Sequence, residues 1–311
     1  MSLIAVVVAA LVVVPIAAGH AMLVSTTPGN DVVLERSPRS VVLRFNEPVE
    51  SAFGSIRAYD SQARRVDDGR IARPDERTVT VGVDRRLARG TYTVTWRVVS
   101  ADSHPVSGAF VFHVKEPGAN PAGIAAQVLE SGTPRGVTVL FTVVRFLVFA
   151  LLLLVVGGAV ALAYPLRTAA AAGVRGRLRT ALGIWAAMLA IAALAAIVLQ
   201  GAAAGGFGLG EAARWESVQT VLETRFGKVA LAQAALGLSA ASLAFAARRV
   251  TLLVPAAALV PTPSLSGHAS VTGDFALVSD VVHVAAAAVW TGGLAFVVLA
   301  LLAAGEQRWP L

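Results

Sequence analysis

The chain has 311 residues and is 56% hydrophobic, with a mean hydropathy of +0.70, which excludes a wholly soluble protein and predicts membrane spans. Its net charge of +7 comes mostly from arginines that flank apolar segments, so it indicates membrane topology, and we expect a lipid bilayer and no nucleic acid as partner. The chain has no cysteine, which excludes disulfides and thiolate metal sites.

The first 19 residues are apolar from Ser2 onward and end in Ala17-Ala18-Gly19, small residues of the kind that precede a signal-peptidase cleavage point. The pattern predicts an export signal over residues 1–19, cleaved before His20. No Lys or Arg precedes the apolar stretch, so a retained transmembrane helix is the alternative.

Residues 20–115 change to a period of two. Apolar and polar side chains alternate over 41–46, 78–83 and 91–98, as in half-buried strands, and turn-rich pieces separate these runs. Several short strands at this spacing predict an all-β Greek-key (Ig-like) barrel or sandwich. On the last strand we predict that His113 is a partly exposed histidine without a ligand role.

A linker rich in Gly, Pro and Ala over residues 116–136 leads into a predicted α-helical transmembrane bundle over 137–305. The apolar pattern predicts about five spans, the fourth being short and broken by Pro255, Pro261 and Pro263. The predicted spans cover residues 137–164, 181–204, 227–247, 250–265 and 275–304.

Arginines follow the first and third spans, at 167–179 and 248–249, so the positive-inside rule predicts that these loops are cytoplasmic. The β domain then lies outside a multi-pass cytoplasmic-membrane protein, as an export signal also requires. We predict an interfacial helix through Trp215 and Val218 in the external loop 205–225.

The strongest candidate site is the stretch after the third alternating run, Ser100-Ala101-Asp102-Ser103-His104-Pro105. On an extended backbone, positions i and i+2 face the same way, so Asp102 and His104 could reach one ion. After cleavage, His20 would add its free α-amine and its ring. Amine, imidazole and carboxylate form the tetragonal N,O donor set that suits Cu(II), although Zn(II) accepts the same donors. Because these donors must be deprotonated, binding should weaken at acid pH.

Four stretches of residues 20–114 carry a family resemblance: His20-Ala21, Leu43-Arg44-Phe45-Asn46-Glu47-Pro48, Gly90-Thr91-Tyr92-Thr93-Val94-Thr95-Trp96 and Asp102-Ser103-His104-Pro105. With them, residues 20–114 resemble the copper resistance protein CopC, a Greek-key β-barrel that binds Cu(II) outside the cytoplasm. The resemblance implies that His20, Asp102 and His104 are the Cu(II) ligands. Because Met22 is the only methionine in this domain, we expect no methionine-rich Cu(I) site.

The membrane part has a second cluster. His268 lies at the outer end of the fourth predicted span, and Asp280 and His283 lie one helical turn apart in the fifth, with Trp290 on the same stripe. Ionisable groups at this depth usually mark an ion path, although an Asp–His pair that ties helices together is the alternative.

The stretches Gly267-His268-Ala269 and Val289-Trp290-Thr291-Gly292-Gly293, together with Asp280 and His283, resemble CopD, a membrane copper-transport family often fused behind CopC. That family usually has about eight spans, so we expect a short variant or a fragment.

These patterns predict a protein that binds copper and imports it, passing Cu(II) from the β domain to His268, Asp280 and His283. The alternative is a membrane-tethered protein that sequesters copper without transport. A redox enzyme with haem in the bundle is the other rival, but only His283 lies deep in a span. The sequence has no pattern typical of a hydrolase or an ATPase, and we expect no enzyme activity.

Overall fold

The computed structural model describes residues 21–51, 56–84, 86–101, 103–119, 133–163, 171–248 and 250–306. Residue contacts divide the chain into two compact units, a β unit and a helical unit. This division matches the predicted order, in which a β domain is followed by a helical membrane part.

The β unit is a sandwich of two sheets. One sheet has the strand order β1-β3-β7-β6, and the other has the order β2-β9-β8-β4, with β5 also paired to β8. The ladders are antiparallel except for the parallel pair of β2 and β9. The strands are β1 Leu23–Thr27, β2 Val32–Leu34, β3 Ser40–Phe45, β4 Val49–Glu50, β5 Ile56–Tyr59, β6 Asp67–Asp75, β7 Thr78–Val83, β8 Gly90–Ser100 and β9 Pro105–Val114.

Alternating apolar side chains from both sheets form the core of the sandwich. Phe45 of β3 meets Trp96 of β8 edge to face at 5.4 Å, and Tyr92 stacks on Phe112 of β9 at the same centroid distance. The predicted β-sandwich is therefore confirmed. The predicted half-burial of β8 is wrong, because its threonines are buried as well. On the neighbouring strand β5, the long side chains of Arg57 and Tyr59 are in register with Thr95 and Thr93 of β8, respectively.

The helical unit has four helices long and apolar enough to cross a membrane among the described residues. These are α1 Arg135–Ala163, α2 Ala171–Gly205, α5 Arg225–Phe245 and α9 Asp274–Glu306. Two short helices, α3 Leu209–Ala212 and α4 Trp215–Glu223, form most of the loop between α2 and α5. The predicted loop helix through Trp215 and Val218 is α4; its interfacial position stays a prediction.

The fourth predicted span differs from the structure. Residues 250–265 form two short helices, α6 Leu253–Leu259 and α7 Thr262–Leu265, and α8 Ala269–Thr272 follows. Proline lacks an amide hydrogen and its ring clashes with the preceding turn, so Pro261 and Pro263 separate α6 from α7. This stretch remains a shorter apolar helical segment beside the four long helices.

Candidate metal centre

The turn between β8 and β9 carries His104. Its ends are tied together, since the amide of Ser100 donates to the carbonyl of His104 at 2.9 Å and the Ser100 hydroxyl donates to the same oxygen at 3.1 Å. The amide of Ser103 donates to the Ser100 carbonyl at 2.9 Å. These bonds fix the backbone of His104, whose side chain is exposed.

This turn is not extended, which corrects the premise that placed Asp102 and His104 on one side. Ser103 has φ +68° and is buried, so the backbone between the two candidate ligands passes through the left-handed region. The alternation of a strand therefore does not apply there. His20 and Asp102 lie outside the described residues, and the three-ligand set stays a prediction.

The chain just after His20 is held at one end of the sandwich. The Met22 amide donates to Asn46 Oδ1 at 2.7 Å, and the Asn46 amide donates to the Met22 carbonyl at 3.1 Å. Three residues beyond Asn46, Val49 of β4 pairs with Ser100, where the turn begins. Three residues span at most about 10 Å, so the start of β1 and the turn that carries His104 lie at the same end of the β unit.

Sequence reasoning missed the residues that create this proximity. Asn46 follows β3, and its amide side chain offers both a donor and an acceptor to the incoming chain. Ser100 anchors the turn, and nothing in its sequence context distinguishes it from the other hydroxyl residues of β8. The only sequence signal was the Asn-Glu-Pro stretch at 46–48, which is typical of a turn.

A partly buried arginine lies on β8, three residues before the turn begins. Burial lowers the pKa of Arg97, three residues before Ser100 on β8. The ordinary pKa of arginine is above 12, so the guanidinium stays charged.

The structure does not gather the membrane candidates into one site. His268 immediately precedes α8 and is partly buried, Asp280 is partly buried on α9, and His283 is exposed one turn further on. Trp290 continues that stripe with 78% of its surface exposed. Over the described ranges, no group of three or more His, Cys, Asp or Glu side chains is arranged to hold a metal ion. The role of these three residues stays a prediction.

Sequence reasoning also missed buried polar groups in the helical unit. Gln233 of α5 donates from Nε2 to Thr262 Oγ1 at 3.0 Å, and the Thr262 hydroxyl donates to the Leu259 carbonyl at 2.7 Å. Both side chains are buried, so this bond ties α5 to the proline-broken segment. A lone glutamine in an apolar span was the available signal.

Two families match separate parts of the chain. Residues 23–115 match the CopC domain, and residues 136–277 match the copper resistance protein D-like, N-terminal domain. The first match covers the β unit, and the second covers the helical unit as far as the start of α9.

The chain is similar to named proteins over both parts. It is 30% identical over 308 residues to the copper transport protein CutJ of Bacillus subtilis, which covers 94% of this chain and 55% of that relative. It is 29% identical over 114 residues to copper resistance protein C of Pseudomonas syringae pv. tomato, covering 34% of this chain and 90% of the relative. The crystal structure of CopC from Methylosinus trichosporium OB3b shares 35% identity, covering 32% of this chain and 98% of that one, with a TM-score of 0.28. The chain thus spans about half the length of CutJ.

Proposed function

Because the chain belongs to the copper transport and resistance family that joins a CopC domain to a CopD-like membrane domain, we propose that it imports copper across the cytoplasmic membrane. In this proposal the β unit faces outward, captures Cu(II), and passes it to the helical unit. The name of the similar Bacillus subtilis protein, a copper transport protein, supports transport.

The capture step uses His20, Asp102 and His104. The observation that carries it is the shared end of the sandwich, where Asn46 holds the residues that follow His20 and Val49 pairs with the start of the turn. The two bonds to the His104 carbonyl hold its backbone in place before any ion arrives. Fixing a ligand in advance reduces the entropy lost on binding.

The chemistry of the donors favours Cu(II). A free amine and imidazole on His20, a carboxylate on Asp102 and an imidazole on His104 supply three nitrogens and one oxygen, a set that suits tetragonal copper. The free amine exists only if the mature chain begins at His20. Each donor releases a proton before it binds, so copper and protons compete.

The transfer step uses His268, Asp280 and His283. Asp280 and His283 lie in a helix that is long and apolar enough to span, where ionisable groups are costly and usually functional. The arginines that follow the first and third predicted spans support an outward β unit.

A tethered copper-sequestering protein is the second candidate. The observation that favours it is the dispersal of the membrane residues, since His283 is exposed and the described residues form no three-donor group. In this case copper would be held by the β unit and would not cross.

Copper uptake by vesicles that contain the full chain separates the two candidates. We expect His283→Ala to lower uptake at least about tenfold, while Cu(II) binding at the β unit stays unchanged. Val282→Ala, a change at the neighbouring exposed residue, is the matched control and should leave uptake intact. Normal uptake by His283→Ala would reject the transfer step, and no uptake by the unmodified chain would favour sequestration.

The mature N-terminus tests the capture step independently. We expect the N-terminal sequence of the mature, membrane-inserted protein to begin at His20. A different first residue would remove the free amine from the donor set and reject the proposed geometry even if uptake persists.

A further inference from the structure

A buried histidine ties three distant segments of the β unit together. His113 of β9 is 6% exposed, so its predicted partial exposure is wrong. Its Nδ1 lies 2.9 Å from Thr91 Oγ1 of β8, and its Nε2 lies 2.9 Å from Asp31 Oδ1, in the β1–β2 connection. Thr91 Oγ1 also bonds to the tail that follows β9, since it accepts from the Gly118 amide and donates to the Gly118 carbonyl, each at 2.9 Å.

The protonation state follows from counting hydrogens. The Thr91 hydroxyl has a single hydrogen, which goes to the Gly118 carbonyl, so Nδ1 of His113 must donate to the hydroxyl oxygen. An ionised carboxylate only accepts, so Nε2 must also carry a hydrogen to bond Asp31. All four bonds therefore exist together only when His113 is an imidazolium.

The arrangement of acid, imidazole and hydroxyl is the one that activates a nucleophile in hydrolases, but a catalytic role does not fit here. Thr91 is 4% exposed, and Gly118 occupies its hydrogen and one of its lone pairs. A nucleophile must present its oxygen to a substrate. The contacts instead hold the tail 115–118 against β8.

Two opposing effects, burial and pairing with Asp31, act on the charged form of the His113 ring. Burying an imidazolium is unfavourable unless it is paired, and its partner Asp31 has a side chain that is 79% exposed, where water weakens the attraction. The other described charged groups on the packed elements and their flanks are Glu35 and Arg36 after β2, Lys115 after β9, the exposed Arg89–Glu116 pair, and Arg97, which lies six residues beyond Thr91 on β8. Among the described residues, only Asp31 and Thr91 bond to the ring.

We propose that His113 is a pH-sensitive latch for the segment that leaves the β unit. The protonated ring holds Thr91 and Asp31 and thereby keeps the tail 115–118 on β8. When the ring loses its Nδ1 proton as the pH rises, the Thr91 hydroxyl turns its single hydrogen to Nδ1, the bond to the Gly118 carbonyl is lost, and the tail 115–118 loosens. Histidine is the side chain that changes charge near physiological pH, which suits it to a pH-dependent contact of this kind.

The latch is separate from the proposed capture site. His113 lies nine residues after His104 along the same stretch of chain, which corresponds to about 30 Å in a strand. A change in tail docking therefore need not alter the copper ligands. The inference does not depend on copper transport.

Hydrogen–deuterium exchange of the full chain in detergent micelles tests the latch. The observable is the protection factor of the Gly118 amide, corrected at each pH for intrinsic exchange. We expect protection to fall at least about tenfold between pH 5.5 and 8.5, with the midpoint at which the His113 ring loses its proton, read from exchange of its C2 hydrogen. Constant Gly118 protection, or midpoints more than about one pH unit apart, would overturn the latch.

Three variants exclude a purely structural effect. Asp31→Asn can donate to a neutral Nε2, so it should keep Gly118 protected at both pH values and abolish the pH dependence. Thr91→Val removes the shared hydroxyl and should lower protection at every pH, whereas Thr91→Ser retains the hydroxyl and should behave as the unmodified chain does. An unchanged pH dependence in Asp31→Asn would contradict the proposal.

Discussion

The two units differ in how they treat buried polar groups. In the β unit, Asp67 and Thr91 bond to residues 9 and 27 positions away, Ser100 bonds across its own turn, and these bonds determine the shape of turns and tails. In the helical unit, the closest helix contacts are made by glycine, as where Gly157 of α1 meets the backbone of α9. The buried bond between Gln233 and Thr262 joins two helical segments and defines no turn.

This difference bears on where a preformed metal site can exist. An unsatisfied buried polar atom is costly in a unit that unfolds into water, so most buried polar groups of the β unit are bonded in one geometry, although Trp96 Nε1 has no partner among the described residues. Within a bilayer, close packing of small residues supplies most of the stability of helix association, and polar side chains add a modest amount. We therefore expect polar substitutions to be most damaging in the β unit and steric substitutions to matter most in the helical unit.

The largest expected effect on stability is at Asp67. Its carboxylate is fully buried and accepts from the amides of Ala58 and Gly69, each at 3.0 Å, and from the Arg65 guanidinium. In Asp67→Asn the charge is lost and an NH2 group faces donors. We expect a loss of about 3 kcal/mol in the free energy of unfolding of the β unit, because a fully buried carboxylate that accepts from two amides and a guanidinium is replaced by an amide. Urea unfolding followed through exchange of the β8 amides measures it.

The pH dependence of this effect has a definite sign. Burial acts to raise the pKa of Asp67, but the bonds from Arg65, Ala58 and Gly69 outweigh it and lower the pKa. A lowered pKa gives stability that is complete above the unfolded value of about 4 and is lost as the pH falls through the folded value. The difference between Asp67→Asn and the unmodified chain should therefore shrink below about pH 4. Asp68→Asn, at an exposed neighbour, is the matched control and should change stability by less than about 0.5 kcal/mol.

The next largest effect concerns Cu(II) affinity at the turn. We expect His104→Ala to lower it at least about 100-fold, equivalent to about 2.7 kcal/mol, because one of the proposed ligands is lost. Titration of the full chain with Cu(II), followed by d–d absorption, measures this change. Affinity in the unmodified chain should also fall on acidification, because protons compete for imidazole and amine.

His268→Ala is the matched control for the capture site, since it removes a histidine from the helical unit. It should leave this affinity unchanged. An equal loss in both variants would show that capture is not confined to the β unit and would weaken the contrast between the units.

Much of the fold was predictable from the sequence because it follows from local periodicity. Alternation over 41–46, 78–83 and 91–98 corresponds to β3, β7 and β8, and the long apolar runs correspond to the four long helices. The break at 250–265 was visible as prolines, yet their effect on continuity depends on whether neighbouring helices satisfy the freed carbonyls. Periodicity carries no information on that point.

The site was less predictable because it depends on contacts across the sequence. The pairing of Val49 with Ser100 and the bonds between Met22 and Asn46 bring distant residues to one end of the sandwich. The left-handed conformation of Ser103 has no sequence signal, because serine rarely adopts it. His113 was misjudged for the same reason, since its partner Asp31 is 82 residues away.

A steric substitution in the helical unit tests the expectation that close packing determines the stability of that unit. A Cβ at Gly157 would lie 2.6 Å from Gly292 Cα, well inside contact distance, so Gly157→Ala must push α1 and α9 apart. We expect a loss of about 2 kcal/mol, typical of overpacking, in SDS-induced unfolding. Gly293→Ala is the matched control because nothing lies within 4 Å of its added Cβ, and alanine favours a helix. Equal losses in the two variants would contradict the close crossing.

The smallest expected effect is at the buried bond between Gln233 and Thr262. The strength of this bond tests whether polar contacts are weaker in the helical unit than in the β unit. Gln233→Leu removes the bond while keeping a similar volume, and Thr262 still donates to the Leu259 carbonyl. Hydrogen bonds between membrane helices are worth about 0.6 kcal/mol on average, so we expect a loss of that order in SDS-induced unfolding. A double-mutant cycle with Thr262→Val isolates the pair from other effects of each substitution. A coupling above about 2 kcal/mol would exceed the range found for membrane helices. It would mean that α5 and the proline-broken segment are held by polar contacts as strongly as the turns of the β unit are.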